Sequence, residues 1–216
     1  MGVVDLQMDN WGVDVVASAS HKGFMLPPGL ASVAVGPKAF PLIEQAKSPR
    51  YYFDLRESKK AWADADTPYT PAINIVIGLC ESLKRIKSIG LQNHFAHSAF
   101  LAKGTQEAAK ALGMTLFPDP SCICNGLTTI NLPKGIDGGK LVKTLRDVHG
   151  ISVAGGQDQL KGKIIRIAHM GCVDEEDIIT GLTYLEKVLA EMGHSFALGV
   201  GVKAAQKVFS GQLVTK

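Results

Sequence analysis

The segment S-A-S-H-K-G-F-M-L-P-P-G-L (residues 18–30) sets Lys22 directly behind the apolar run V-D-V-V-A-S (13–18), in small and polar surroundings. Lysines at strand ends ordinarily carry their ammonium into solvent. Lying between a buried strand and Gly23-Phe24-Met25-Leu26, the Lys22 amine is placed to face an interior cleft. Partial desolvation lowers a lysine pKa, and a neutral amine is the nucleophile that attacks carbonyl carbon. On the residues alone, a solvated strand-end lysine remains the competing reading.

Other chemistry-bearing motifs lead less far. Cys122 and Cys124 form a C-x-C pair. A zinc site needs further ligands at suitable spacing, and none lies nearby. In a strand both thiols would point to one face and pack as small hydrophobes beside Ile123 and Leu127. His94 and His97 can share a helix face, but no carboxylate completes a metal site. G-V-G-V-K-A (199–204) fits the start of a dinucleotide fingerprint. It has no convincing strand before it and no acidic ribose contact after it, so it reads as a loop entering the final helix.

The elements that must position these residues follow from periodicity and punctuation. Residues 13–18 and 30–35 read as short strands, the second entered through Pro27-Pro28-Gly29. A helical segment near 38–47 precedes the aromatic stretch Y-Y-F-D-L (51–55). T-P-Y-T-P (67–71) is a rigid entry to a helix whose apolar stripe is Ile73, Val76, Ile77, Leu79, Cys80 and Leu83. Lys84, Arg85 and Lys87 complement the dipole of its last turns, and Gly90 stops it. A second helix spans about 91–112. Beyond it, strands at 128–132, 151–154 and 163–170 alternate with helices at 137–148 and 174–192, the last opened by Asp174, Glu175, Glu176 and Asp177. This alternation indicates an α/β second domain, with a boundary near Gly90.

The lysine segment also resembles a known one: the cofactor-lysine motif of class V, fold-type I pyridoxal-phosphate enzymes. It is most similar to that of the alanine–glyoxylate and serine–pyruvate aminotransferases, where a small-polar run and a lysine precede a Pro-Pro-Gly turn. W-G-V-D-V-V (11–16), T-P-Y-T-P (67–71) and R-I-A-H-M-G (166–171) extend the likeness, in the family's order, over nearly the whole chain. The resemblance implies an α/β fold. Residues 1–90 would be the C-terminal part of the cofactor-binding large domain, and residues 91–216 a small C-terminal domain. It implies pyridoxal 5'-phosphate as cofactor and transamination between a small amino acid, such as alanine or serine, and a 2-oxo acid such as glyoxylate or pyruvate.

Roles carry over residue by residue. Lys22 would bond to the cofactor aldehyde and, once displaced, move the proton between substrate Cα and cofactor C4′. Thr70 would donate its hydroxyl to the phosphate held by a neighbouring subunit, with Thr67 at the other contact position of that loop. Capping of the helix that begins near Pro71 is the plain alternative for both threonines. His21 would contact the phosphate or the dimer interface, or be structural. Ser20, like Ser18, would be polar support near the phosphate. Arg166 would grip the substrate α-carboxylate through two guanidinium contacts, against the plain reading of an outward arginine on a half-buried strand. His169 reads as a packing residue.

The family's site also uses parts this sequence does not contain: a phosphate loop, an aromatic residue over the pyridine ring, and the aspartate of an Asp-Ala-x-Ser-Ser segment. Met1 falls just past where that aspartate belongs. The expectation is therefore a truncated chain, with a split enzyme completed by an N-terminal half chain, or a silent remnant acting through dimerisation, as the alternatives. Composition fits either. The 216 residues are 46% hydrophobic and 20% charged, with a net charge of +3 and no block of like charge, so neither nucleic acid nor a membrane is expected as partner. Four cysteines without a secretory signal point to a reduced cytoplasmic protein, expected to work as a homodimer or with that half chain.

Overall fold

A computed structural model describes residues 2–211, which divide into two units, one ending at Leu91 and the other starting at Gln92. The first opens with a pair of strands, β1 (Val15–Ala19) and β2 (Ala31–Val35). They run antiparallel, with Val15 opposite Val35 and Ala19 opposite Ala31. Their β-branched and small residues suit a pleated surface. The strand expected to be buried is instead largely open, with Val13, Val15 and Ala17 exposed.

Four helices follow β2. α1 (Phe40–Gln45) has Pro41 in its first turn, where a missing N–H costs nothing. α2 (Leu55–Ala63) was hidden in sequence behind the aromatic stretch before it. Asp54 starts it, its side chain accepting from the Arg56 backbone N–H at 3.0 Å. α3 (Ile73–Ile89) stops at Gly90, which takes the positive φ of 86° that a side chain would oppose. Its inward face is Ile75, Leu79, Ser82 and Ile86, whereas Ile73, Val76, Ile77, Cys80 and Leu83 of the expected stripe are exposed. α4 (Leu91–Ala111) begins at the end of the first unit and belongs almost wholly to the second.

The second unit is built on a four-stranded antiparallel sheet in the order β3 (Thr115–Leu116), β4 (Leu127–Asn131), β6 (Ile164–Ala168), β5 (Ala154–Gly155). The strand expected at 151–154 survives only as the short β5. α5 (Gly138–His149) and α6 (Glu175–Glu191) return between and after strands, and α7 (Val200–Phe209) ends the described chain. Asp137 caps α5, and Asp174 and Asp177 cap α6 reciprocally. Leu101, Leu112, Ile130, Leu141, Leu145, Ile165, Leu182 and Leu189 form one continuous core, each such side chain contributing about 1.5–3 kcal/mol through burial. No helix of the described residues is long and apolar enough to cross a membrane.

Candidate functional site

The lysine sits on a loop that its own stem closes. Ser20, buried at the end of β1, donates its backbone N–H to the Leu30 carbonyl (3.0 Å), and its own carbonyl accepts from Leu26 N–H (3.2 Å). Its hydroxyl donates to the Pro27 carbonyl (2.7 Å) and accepts from Leu30 N–H (3.3 Å). A hydroxyl has one proton to give, and Ser20 gives it to bracing the loop. Within the loop, Met25 N–H donates to the Lys22 carbonyl at 3.0 Å, with Met25 in the left-handed region at φ 60°. That tight turn holds His21 and Lys22 outward.

Lys22 is exposed, and no hydrogen bond or ion pair engages its amine among the described residues. The interior cleft expected around it is not formed by its own unit. The loop rests on α3 instead. A Cβ on Gly29 would lie 2.3 Å from Ile75 Cδ1, and one on Gly78 would lie 3.0 Å from Leu26 Cδ2, so both glycines permit close approach. Ser82, unrecognised in sequence, donates its hydroxyl from α3 to the Phe24 carbonyl at 2.5 Å.

The threonine segment lies just before α3. Thr67 Oγ1 donates to the Tyr69 carbonyl (2.8 Å), which spends its proton locally. Thr70 is exposed, with its hydroxyl unengaged among the described residues. Neither caps the helix: the N-cap is Ala72, without a side-chain bond. Tyr69 is stacked on Tyr52 at 4.6 Å and donates its hydroxyl to the Tyr51 carbonyl, and loss of solvent there pushes its phenol pKa up. Asp54 fixes the far end of this aromatic stretch, bonded by Arg56 and Arg50 (3.2 Å), and the Arg56 guanidinium holds its carboxyl far below the usual carboxylate range.

In the second unit, Arg166 sits half-buried on β6, with Nε donating to the Gly155 carbonyl of β5 at 3.0 Å. That bond fixes the guanidinium plane and leaves both terminal nitrogens unengaged among the described residues, as a two-pronged carboxylate contact requires. Three residues on, His169 is buried. Its Nε2 bonds Thr128 Oγ1 on β4 at 2.8 Å, while Nδ1 has no partner among the described residues. Burial pushes its pKa down to about 4. His97 Nε2 meets the Val173 carbonyl at 3.0 Å. No group of three His, Cys, Asp or Glu that could hold a metal occurs among the described residues.

Cys122 and Cys124 are not in a strand. Both are exposed, on and just after a 3-10 turn at Pro120–Cys122 that Asp119 caps. The Asp-Pro pair ends strand β3's approach and turns the chain outward. A second group that motifs did not single out is Glu186, buried on α6. Its carboxylate accepts from the backbone N–H groups of Gly199 and, at 2.8 Å, Val202. An acid between Leu182, Leu185 and Leu189 was the available signal, with Gly199 and Gly201 as its glycine partners.

Residues 1–179 match the family model for Aminotransferase class-V, and the chain belongs to that family. It is 40% identical over 211 residues to the soluble hydrogenase small subunit of Synechococcus sp. strain PCC 6716, covering 97% of this chain and 55% of that protein. With the L-aspartate–glyoxylate aminotransferase of Paracoccus denitrificans, identity is 37% over 96% of this chain and 52% of the relative. The crystal structure of ureidoglycine–glyoxylate aminotransferase from Bacillus subtilis superposes with a TM-score of 0.90 at 27% identity, over 97% of this chain and 55% of that one. The fold is therefore that of the fold-type I aminotransferases, and the chain spans about half the length of the curated relatives it matches.

Proposed function

We propose that this chain supplies the C-terminal half of a pyridoxal-phosphate-dependent aminotransferase that exchanges an amino group between a small amino acid and a 2-oxo acid. The observation that carries this is Lys22: an unengaged primary amine on a braced turn directly after β1, in a member of the class V family. The activities named for two relatives, L-aspartate–glyoxylate and serine–glyoxylate aminotransferases, support aspartate or serine as donor and glyoxylate as acceptor, and the sequence resemblance adds alanine and pyruvate.

The residues present fit the cofactor chemically: a free amine in Lys22, a free hydroxyl in Thr70, and free guanidinium nitrogens in Arg166. Pyridoxal 5'-phosphate supplies the aldehyde that takes an amine and the ring that withdraws its electrons. Lys22 holds the cofactor and then moves the proton at the substrate Cα. Thr70 donates to the phosphate of a neighbouring subunit, and a homodimer follows from that role. His21 stands beside the lysine as a further donor toward the phosphate. Arg166 orients the α-carboxylate, with its plane set by the Gly155 carbonyl. The first unit serves as part of the cofactor-binding large domain and the second as the small domain. Four cysteines without a disulfide among the described residues suit a reducing, cytoplasmic setting.

A second reading is a catalytically silent chain that acts by association. The apolar exposure of the first unit favours it: Trp62 is 84% and Phe53 87% exposed. The absorption spectrum after addition of pyridoxal phosphate separates the two. A visible band present in wild type and lost in Lys22→Ala is expected, and its bleaching by alanine or serine would mark productive binding. No band from folded wild-type protein would decide for the silent chain.

A further inference from the structure

We propose that Ser82 is a positioning residue for Lys22, acting through the carbonyl of Phe24; its catalytic meaning rests on the cofactor reading above. Hydroxyls inside helices usually bond back to their own helix. In this chain Ser88, Ser98, Thr105 and Thr183 all do so, donating to the carbonyls of Arg85, His94, Leu101 and Ile179. Ser82 does not. Buried on the inward face of α3, it donates at 2.5 Å to Phe24, two residues past the lysine.

The contact acts on the right piece of backbone. Phe24 lies inside the turn that the Met25 N–H to Lys22 carbonyl bond closes, so displacing its carbonyl displaces Lys22. Ser20 fixes the stem of the loop, but its bonds go to Leu26, Pro27 and Leu30, beyond the turn. Gly29 and Gly78 bring loop and helix within reach, and Ser82 is the polar contact that sets how the turn sits on that surface. Met25, at φ 60°, is a position that would relax if released. Since α3 starts three residues after Thr70, the same helix ties the lysine turn to the proposed phosphate donor.

The test compares the whole chain as wild type, Ser82→Ala, Ser82→Thr and Ser88→Ala. Amide exchange, read without cofactor, is expected to quicken about tenfold at Met25 and Leu26 in Ser82→Ala, where the Phe24 carbonyl loses its donor. Ser82→Thr restores protection and Ser88→Ala leaves it unchanged. Trapping of pyridoxal phosphate on Lys22 with cyanoborohydride, counted by mass spectrometry, should slow by a similar factor in Ser82→Ala and recover in Ser82→Thr. Should Ser82→Ala not fold, the nearly isosteric Ser82→Cys carries the same expectations. Unchanged exchange overturns the contact's role. Quickened exchange with unchanged trapping overturns its link to the lysine. A wild type that traps nothing retires the cofactor reading instead, and exchange alone then decides whether Ser82 holds the turn.

Discussion

The two units are finished to different degrees. In the second, leucines and isoleucines from α4, α5, α6 and the sheet close over one another, and the exposed large apolar side chains among the described residues are Phe117, Val148 and Leu198. In the first, the buried apolar side chains among the described residues are Val3, Ala39 and Ile86, while Trp11, Leu42, Phe53, Trp62 and Ile77 stand open. Yet the first unit holds the turn at Lys22, which hydrogen bonds of Ser20, Met25 and Ser82 brace. One unit owes its shape to apolar burial, the other to local polar bracing of a surface that this chain does not cover.

Substitutions in the two units test that contrast. Leu145→Ala in the second core should cost about 2–5 kcal/mol, because the close-packed surroundings collapse only partly into the space left behind. Its counterpart Ile77→Ala, on the open side of α3, should stay within about 0.5 kcal/mol. Urea unfolding measures both, and equal losses would erase the distinction.

Acid should act on the second unit through His169. Its folded pKa, about 4, lies below the ordinary 6.5, so between those values the unfolded chain binds the extra proton. The contribution is complete above pH 6.5 and is lost as pH falls to about 4; the shift corresponds to something on the order of 3 kcal/mol. Unfolding midpoints across that window should lose much of their slope in His169→Gln.

A smaller loss than at Leu145 should come from Gly201→Ala. In a helix this exchange is ordinarily stabilising, by up to about 1 kcal/mol. Here the new methyl would lie 2.9 Å from Glu186 Oε1 and 3.0 Å from Leu112 Cγ, so a net loss of about 1–2 kcal/mol is expected. A thermal melt that rises instead would show that the Glu186 contact yields easily.

How far the sequence could be read follows the same division. Where burial and capping agree, as at Asp174 opening α6 or Gly150 closing α5, elements fell within a residue or so of where periodicity put them. Reading failed where a single side chain outvoted the pattern. Asp54 starts α2 at the end of an aromatic stretch that carries no helical periodicity of its own. Asp119 and Pro120 turn Cys122 and Cys124 out of the strand their apolar neighbours implied. On α3, two apolar faces compete, and the sequence stripe through Ile73 and Ile77 is the one left open. The candidate site residues came from motifs, but the bonds that hold their backbone did not: Ser20 braces the loop, and Ser82 carried no sequence signal. Hydrogen bonds between residues 58 positions apart leave no local periodicity.

The pair of strands that leads to the lysine has one more consequence, for handling the protein. In a sheet of two, each strand has an outer margin whose backbone groups lack a ladder partner among the described strands. Such margins will accept any extended chain that arrives, including another copy's. Purified material should therefore stay monodisperse when dilute and coalesce when concentrated, with the strands at Val15 and Val33 as the point of entry.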